Sequence, residues 1–182
     1  MEPIVFVDEQ GRPTGETGPK LASHTADTQL HLAFSCYIFN NDGQLLVTRR
    51  ALTKKVWAGV WTNSVCGHPL PGERLTNAIH RRAQCELGMA VTNITPILPK
   101  YRYKTPPFNG IIENEFCPVF AARAASDPRP NPEEVAEYTW LSWQTYSRRL
   151  RGESYSYWAK DQYAGLVGSP ELLVFLNPGN GL

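Results

Sequence analysis

The chain has 182 residues, 42% hydrophobic and 11% aromatic, with 18 basic against 17 acidic side chains and a net charge of +1. That much apolar material builds one packed core and excludes a disordered chain, while the near-balance of charge excludes the broad basic face of a nucleic-acid binder. No run approaches the ~20 apolar residues of a membrane-spanning helix, so the expectation is a soluble, cytoplasmic protein.

In chain order, residues 1–8 lack the basic start and long apolar run of a signal peptide. Residues 31–39 are rich in strand formers and are followed by Asn40-Asn41-Asp42-Gly43 and a second such run at 44–48. Asp-Gly between two runs of this kind predicts a hairpin. A short strand is expected at 61–65. Residues 73–87 carry a helical stripe at Leu75, Ala78/Ile79, Ala83 and Leu87, closed by Gly88 as a C-cap. Strands are expected at 111–122 and 138–141, a proline-rich loop at 127–132, and helices at 142–151 and 155–174. No repeat and no long linker divides the chain. The expected architecture is a single α/β (α+β) domain over 1–182, a mixed sheet flanked by helices: core about 30–142, N-terminal segment 1–29, C-terminal helical region 143–176. Cys36, Cys66, Cys85 and Cys117 include no C-x-x-C pair, and a chain this long needs no staples, so reduced thiols are expected.

Four groups of residues could carry chemistry. Side chains two apart on a strand share a face, so Cys66 with His68, and Glu113 with Glu115, form two dyads. A Glu-x-Glu pair is commonly a solvated face. Here it interrupts the otherwise apolar run around Phe116 to Phe120, where a buried carboxylate needs a partner or a metal. His24, His31 and His68 all fall near these segments, and imidazole with carboxylate is a workable donor set for a divalent metal. His80, inside the helix, reads as an ordinary surface or packing residue. A third group lies on the helix, where Glu86 remains but Arg82 and Cys85 stand beside it. The fourth is basic: Arg49, Arg50, Lys54 and Lys55, with Lys20 upstream. Arg82 and the basic cluster are each open to two readings, a solvated face or contacts to phosphate.

The spacing Gly67, Glu73, Arg81, Glu86, Gly88 resembles the Nudix box, G-x5-E-x7-R-E-U-x-E-E-x-G-U, with Arg82 and Cys85 in place of two of its glutamates. In a Nudix hydrolase those carboxylates line one helical face and hold the metals that activate water; one carboxylate can still hold Mg2+ with substrate phosphates. Five segments make the resemblance more specific: His24-Thr25-Ala26-Asp27-Thr28, His31-Leu32-Ala33-Phe34-Ser35, Leu46-Val47-Thr48-Arg49-Arg50-Ala51, Trp61-Thr62-Asn63-Ser64-Val65-Cys66-Gly67-His68-Pro69 and Glu113-Asn114-Glu115. Over roughly residues 20–138 the chain resembles the type I isopentenyl-diphosphate delta-isomerases, a Nudix-fold family that interconverts isopentenyl and dimethylallyl diphosphate.

The resemblance implies that His24, His31, His68, Glu113 and Glu115 bind one divalent metal (Mn2+, Zn2+ or Mg2+). It implies that Cys66 and Glu115 move the protons, and that Glu86 takes a Mg2+ shared with the diphosphate. Lys20, Arg50, Lys54 and Arg82 would contact the phosphates, and Tyr103 matches the family's active-site tyrosine. The aromatic residue expected beside the carbocation falls on Tyr163 or Trp158, and the helical region 143–176 would supply a lid. Glu115 is expected as first acid and Cys66 as base, exchangeable because the reaction is reversible. The tail 177–182 has no counterpart in the family and reads as frayed. The partner implied is a small diphosphate, with neither nucleic acid nor membrane; monomer or homodimer is open. Two other readings remain: a Nudix hydrolase, which Arg82 and Cys85 oppose, and a non-catalytic diphosphate-binding module, which would need no acid–base pair.

Overall fold

The computed structural model describes residues 3–19, 25, 27–152 and 154–177; Lys20, His24 and the tail from residue 178 lie outside them. Its elements are β1 (Pro3–Val7), β2 (Pro13–Pro19), β3 (His31–Leu32), β4 (Phe34–Phe39), β5 (Leu45–Arg50), β6 (Trp61–Thr62), β7 (Val65–Gly67), α1 (Leu75–Leu87), β8 (Val91–Leu98), β9 (Arg102–Lys104), β10 (Asn114–Phe116), β11 (Val119–Ala124), β12 (Val135–Leu141), α2 (Trp143–Gly152), α3 (Tyr157–Leu166) and α4 (Pro170–Leu176).

Two sheets result. The larger runs β12-β5-β4-β11-β8, with β6 paired to β5 and β7 to β4; the smaller runs β2-β1-β3-β10-β9. The larger is covered on both faces, which explains why β4 is buried at every position instead of alternating apolar with polar. Tyr37, Phe39, Leu45, Val47, Val119 and Ala121 pack with Tyr146, Leu150, Leu166, Leu172 and Phe175 of α2–α4. The alternate residues Cys36, Ile38, Leu46, Phe120 and Ala122 pack with Ala78, Ile79, Ala83 and Leu87 of α1. The single mixed α/β domain expected from the sequence is what forms. Its C-terminal helices form a core layer on one face of the large sheet.

Two of the expected strands each divide between the sheets. The run from His31 leaves the small sheet at Ala33 and enters the large one as β4. The run from Asn114 does the same at Cys117-Pro118, where proline cannot donate to a ladder. The two runs travel side by side in parallel, Glu115 opposite His31 before the crossing and Phe120 opposite Cys36 after it. The bonds Ala33 N–H to Phe116 O (2.9 Å) and Ser35 N–H to Pro118 O (3.2 Å) hold them through the change.

Other expected boundaries shift for local reasons. The helix expected over 155–174 breaks into α3 and α4 because Gly168 adopts φ 79° and Ser169 then caps α4, with Pro170 in its first turn. The box helix starts at Leu75: Glu73 folds back instead, accepting from Leu70 N–H at 2.8 Å. It ends at Gly88 as expected, with φ 57°; a Cβ there would meet Arg129 O at 2.5 Å. The Asp42-Gly43 hairpin also forms, Asn40 Oδ1 accepting from Asp42 and Gln44 N–H. A second hairpin, unforeseen, turns at Asn109-Gly110, both at positive φ as a two-residue type I′ turn requires.

Candidate active site

The crossing of the two sheets builds the site. Across the small sheet, Tyr103 on β9 stands opposite Glu115 on β10, and Glu115 opposite His31 on β3, so the three share one cross-strand row. In the large sheet Cys66 on β7 stands opposite Ser35 on β4. His68 follows β7 directly. Its carbonyl accepts from Arg81 Nη2 (3.0 Å), and Arg81 is itself held by Glu73 through Nε–Oε1 (2.9 Å) and Nη2–Oε2 (2.8 Å). The box glutamate and arginine thus fix the loop that carries His68.

A cavity of about 400 Å3 opens onto Cys66, His68, Tyr103, Glu113, Glu115 and Trp158, and Arg50 and Lys54 border it. Glu115 Oε1 lies 3.1 Å from His68 Nε2 and 3.6 Å from His31 Nε2, while its Oε2 accepts from the Tyr103 hydroxyl at 2.8 Å. Among the described residues, His31, His68 and Glu115 form a buried group whose ligand atoms lie within 4.8 Å of one another. Glu113 lines the same cavity outside that group. His31 Nδ1 is 2.9 Å from the Gln29 carbonyl, which only accepts, so Nδ1 donates there and the ring is held with Nε2 toward Glu115. Two imidazoles and a carboxylate converging on one buried point suit a divalent cation.

Burial penalises the Glu115 carboxylate, yet His31 and His68 outweigh it and hold the group well below the usual carboxylate range. Burial followed by the charges of Glu115 and Glu113 pushes the Tyr103 hydroxyl well above its ordinary value, which keeps it a donor. Burial likewise pushes the Cys66 thiol up to about 12, against the hydrogen bond with Ser35, which acts the other way. Cys66 Sγ donates to Asn63 Oδ1 at 3.0 Å and lies 3.3 Å from Ser35 Oγ.

Of the phosphate-type residues, Arg50 and Lys54 border this cavity and Arg82 pairs behind them. Arg82 Nε and Nη2 both donate to Glu86 Oε1, at 2.9 and 2.6 Å, and Nη2 lies 3.6 Å from Glu134 Oε2. Lys54 is paired with Glu134. The Arg82 stem crosses Gly67 so closely that a Cβ there would meet its Cγ at 3.0 Å. Cys85 faces solvent. Arg50 donates to the carbonyls of Val56 and Trp57, and its guanidinium lies 5.9 Å from the centre of the Trp158 ring.

Of the two aromatic candidates, Trp158 lines the cavity and Tyr163 does not. Tyr163 packs against Trp143 and donates its hydroxyl to Ser147 at 2.6 Å, in the core layer beneath the large sheet. The reason is helix phase: at 100° per residue, five positions separate the two side chains by about 140° around α3. Glu134, Asn63, Ser35 and Gln162 enter the site without having been anticipated. Glu134 follows a proline-rich loop, and the other three are polar residues whose contacts come from distant segments; Asn63 fell inside the strand expected at 61–65, which the structure divides into β6 and β7.

The chain matches the NUDIX domain family over residues 29–160. The fold agrees: DR0079 from Deinococcus radiodurans superposes with a TM-score of 0.69 at 20% identity, covering 90% of this chain and 98% of that one. A MutT NUDIX hydrolase from Burkholderia pseudomallei gives 0.57 at 20% identity, covering 76% and 98%. Much nearer in sequence are isopentenyl-diphosphate Delta-isomerases. That of Citrobacter koseri is 52% identical over 86% of both chains, and that of Salmonella heidelberg 55% identical over 82% of both. The chain belongs to the isopentenyl-diphosphate Delta-isomerases of the Nudix family.

Proposed function

We propose that the chain interconverts isopentenyl and dimethylallyl diphosphate by proton addition and removal through a tertiary carbocation, in isoprenoid biosynthesis. The observation that carries the reading is the pairing of Cys66 and Glu115 on one cavity while the box helix has Arg82 and Cys85 at two of its carboxylate positions.

The chemistry follows from the residues. One proton is added to the terminal methylene carbon of isopentenyl diphosphate, and its π electrons form the new C–H bond, leaving the central carbon positive. A second proton then leaves the allylic methylene, and the electrons of that C–H bond form the new double bond. Glu115 gives the first proton and Cys66 takes the second. A thiol at Cys66 with a carboxylate at Glu115 is the protonation state that one forward passage leaves behind. It is also the state ready for the reverse passage. A cation beside the Trp158 face is stabilised by its π electrons, and Arg50 already sits over that ring.

His31, His68 and Glu115 would hold one divalent ion, joined by Glu113 and His24; the imidazole-rich set suits Zn2+ or Mn2+ better than Mg2+. Such an ion supplies a fixed positive charge beside the carboxyl group. Glu86 would take the Mg2+ that accompanies the diphosphate, and Lys54, Arg50, Arg82 and Lys20 its phosphate oxygens. Binding of the diphosphate requires Lys54 to turn from Glu134 toward it. No helix among the described residues is long and apolar enough to cross a membrane. All four cysteines are free, and we place the enzyme in the reducing cytosol, where Cys66 stays a thiol.

Incubation with isopentenyl diphosphate and Mg2+, followed by proton and phosphorus NMR, should yield the dimethylallyl isomer with the diphosphate intact. Release of phosphate without isomer would overturn the reading in favour of hydrolysis.

A further inference from the structure

Asn63 lies in the two-residue turn between β6 and β7, fully buried. Its side-chain oxygen is a meeting point: Thr62 Oγ1 donates to it at 2.9 Å, Cys66 Sγ at 3.0 Å and Trp158 Nε1 at 3.2 Å. An indole N–H can only donate, so the Trp158 bond fixes which end of the amide faces the site. The amide nitrogen faces the other way, donating to the Cys36 carbonyl at 3.4 Å.

The three donors come from different parts of the fold. Cys66 belongs to the large sheet. Trp158 belongs to the first turn of α3, ninety-odd positions later in the chain, and reaches β6 through paired backbone bonds: Trp61 N–H to Ser154 O (2.9 Å) and Ser156 N–H to Trp61 O (2.8 Å). Thr62 Oγ1 also lies 3.0 Å from Ser156 Oγ, the N-cap of α3. Those contacts secure the helix end, and the buried ring packs against Trp57 and Tyr103. The bond to Asn63 Oδ1 fixes the N–H edge of the ring relative to the Cys66 sulfur.

We propose that Asn63 is a positioning residue of the isomerisation: by tying the Cys66 sulfur and the Trp158 indole to one oxygen atom, it sets the distance between the group that handles the proton and the ring that faces the cation. The inference rests on the isomerase reading above and deepens it. Proton transfer to or from carbon depends steeply on placement, and a displacement of about 1 Å costs on the order of 10²-fold in rate. Neither Cys66 nor Trp158 reaches the diphosphate through Asn63, so its loss acts on turnover and leaves binding alone.

The test compares wild type, N63A, N63D and the W158F background, with kcat and KM for isopentenyl diphosphate and a circular-dichroism melt for each. The wild type must isomerise; if it does not, the functional reading fails and the positioning role with it. Given an active wild type, N63A is expected to lose about 10²-fold in kcat with KM within about threefold. N63D, which keeps an oxygen acceptor in place, recovers to within about tenfold of wild type. In the W158F background, whose ring has no N–H to hold, the same N63A change costs several-fold less than it does in wild type, because the two act through one contact. A folded N63A with unchanged kcat, a loss confined to KM, or full multiplicativity with W158F overturns the proposal. If N63A does not fold, N63D decides it: a folded N63D that loses as much as about 10²-fold contradicts an acceptor role.

Discussion

The His31–His68–Glu115 group and the Lys54–Glu134–Arg82–Glu86 group meet the same cavity, the second through Lys54, yet they are built in opposite ways. The first comes from strands and a strand end, is buried, and places like-natured donor atoms toward one point, an arrangement that suits a cation. The second centres on the box helix and pairs each base with an acid, as in Arg82 with Glu86 and Lys54 with Glu134. Internally balanced charge of that kind suits exchange of partners when a diphosphate and its Mg2+ arrive. In a hydrolytic box the helix carries the chemistry. Here Arg82 pairs with Glu86, and in the function proposed above the chemistry lies at the sheet crossing while the helix serves as anchor. Glu73 and Arg81 join the two regions, since Arg81 holds both Glu73 and the carbonyl of His68.

If the two regions divide the work in this way, their variants separate. The largest effect falls on Glu115→Gln, which removes both a proton carrier and a ligand of the candidate metal group: kcat is expected to drop by about 10⁴-fold, and stopped NMR assays on folded protein check it. Next, His68→Ala should lower the affinity for a divalent ion by at least about 10–100-fold, measured as metal per chain after dialysis; full retention of metal would break the assignment of this group. At the anchor, Lys54→Ala should raise KM by about 10–100-fold, the worth of one or two charge-assisted bonds, with kcat nearly unchanged. A fall in kcat without a rise in KM would merge the two regions again. The smallest effect is on stability. Hydrogen bonds from Arg81 hold the Glu73 carboxyl below the usual range. A depressed carboxylate stabilises the fold above its unfolded-state pKa, and that contribution disappears as pH falls through the folded-state value. Glu73→Gln should therefore cost about 1–2 kcal/mol at pH 7, and urea titrations of variant and wild type should converge as the solution is acidified below pH ~4.

Much of this was legible in residue order because it depends on local spacing. The helix stripe and its glycine end, the Asp42-Gly43 turn, and the dyads Cys66/His68 and Glu113/Glu115 are short-range patterns. What the order of residues does not carry is which strands neighbour one another. That His31 stands opposite Glu115 follows from two strands that change sheets together, and that Cys66 stands opposite Ser35 from the pairing of β7 with β4, decisions made by the packing of both layers. Tyr163 and Trp158 looked interchangeable until the phase of α3 separated them. Some signals were present and passed over: Asn109-Gly110 marks the hairpin that brings β9 and Tyr103 to Glu115, and Gly168-Ser169-Pro170 marks a helix stop and restart. Glu134 had no such mark, since nothing local distinguishes it from its neighbour Glu133.

The central claim is that binding and proton transfer are held by separate regions, and Cys66→Ala tests it most directly. Calorimetric titration with dimethylallyl diphosphate and Mg2+ and an isomerisation assay are run on the same folded preparation. The account predicts binding within about threefold of wild type and turnover lower by about 10³-fold or more. Turnover that survives, or binding lost in parallel with it, would contradict the division.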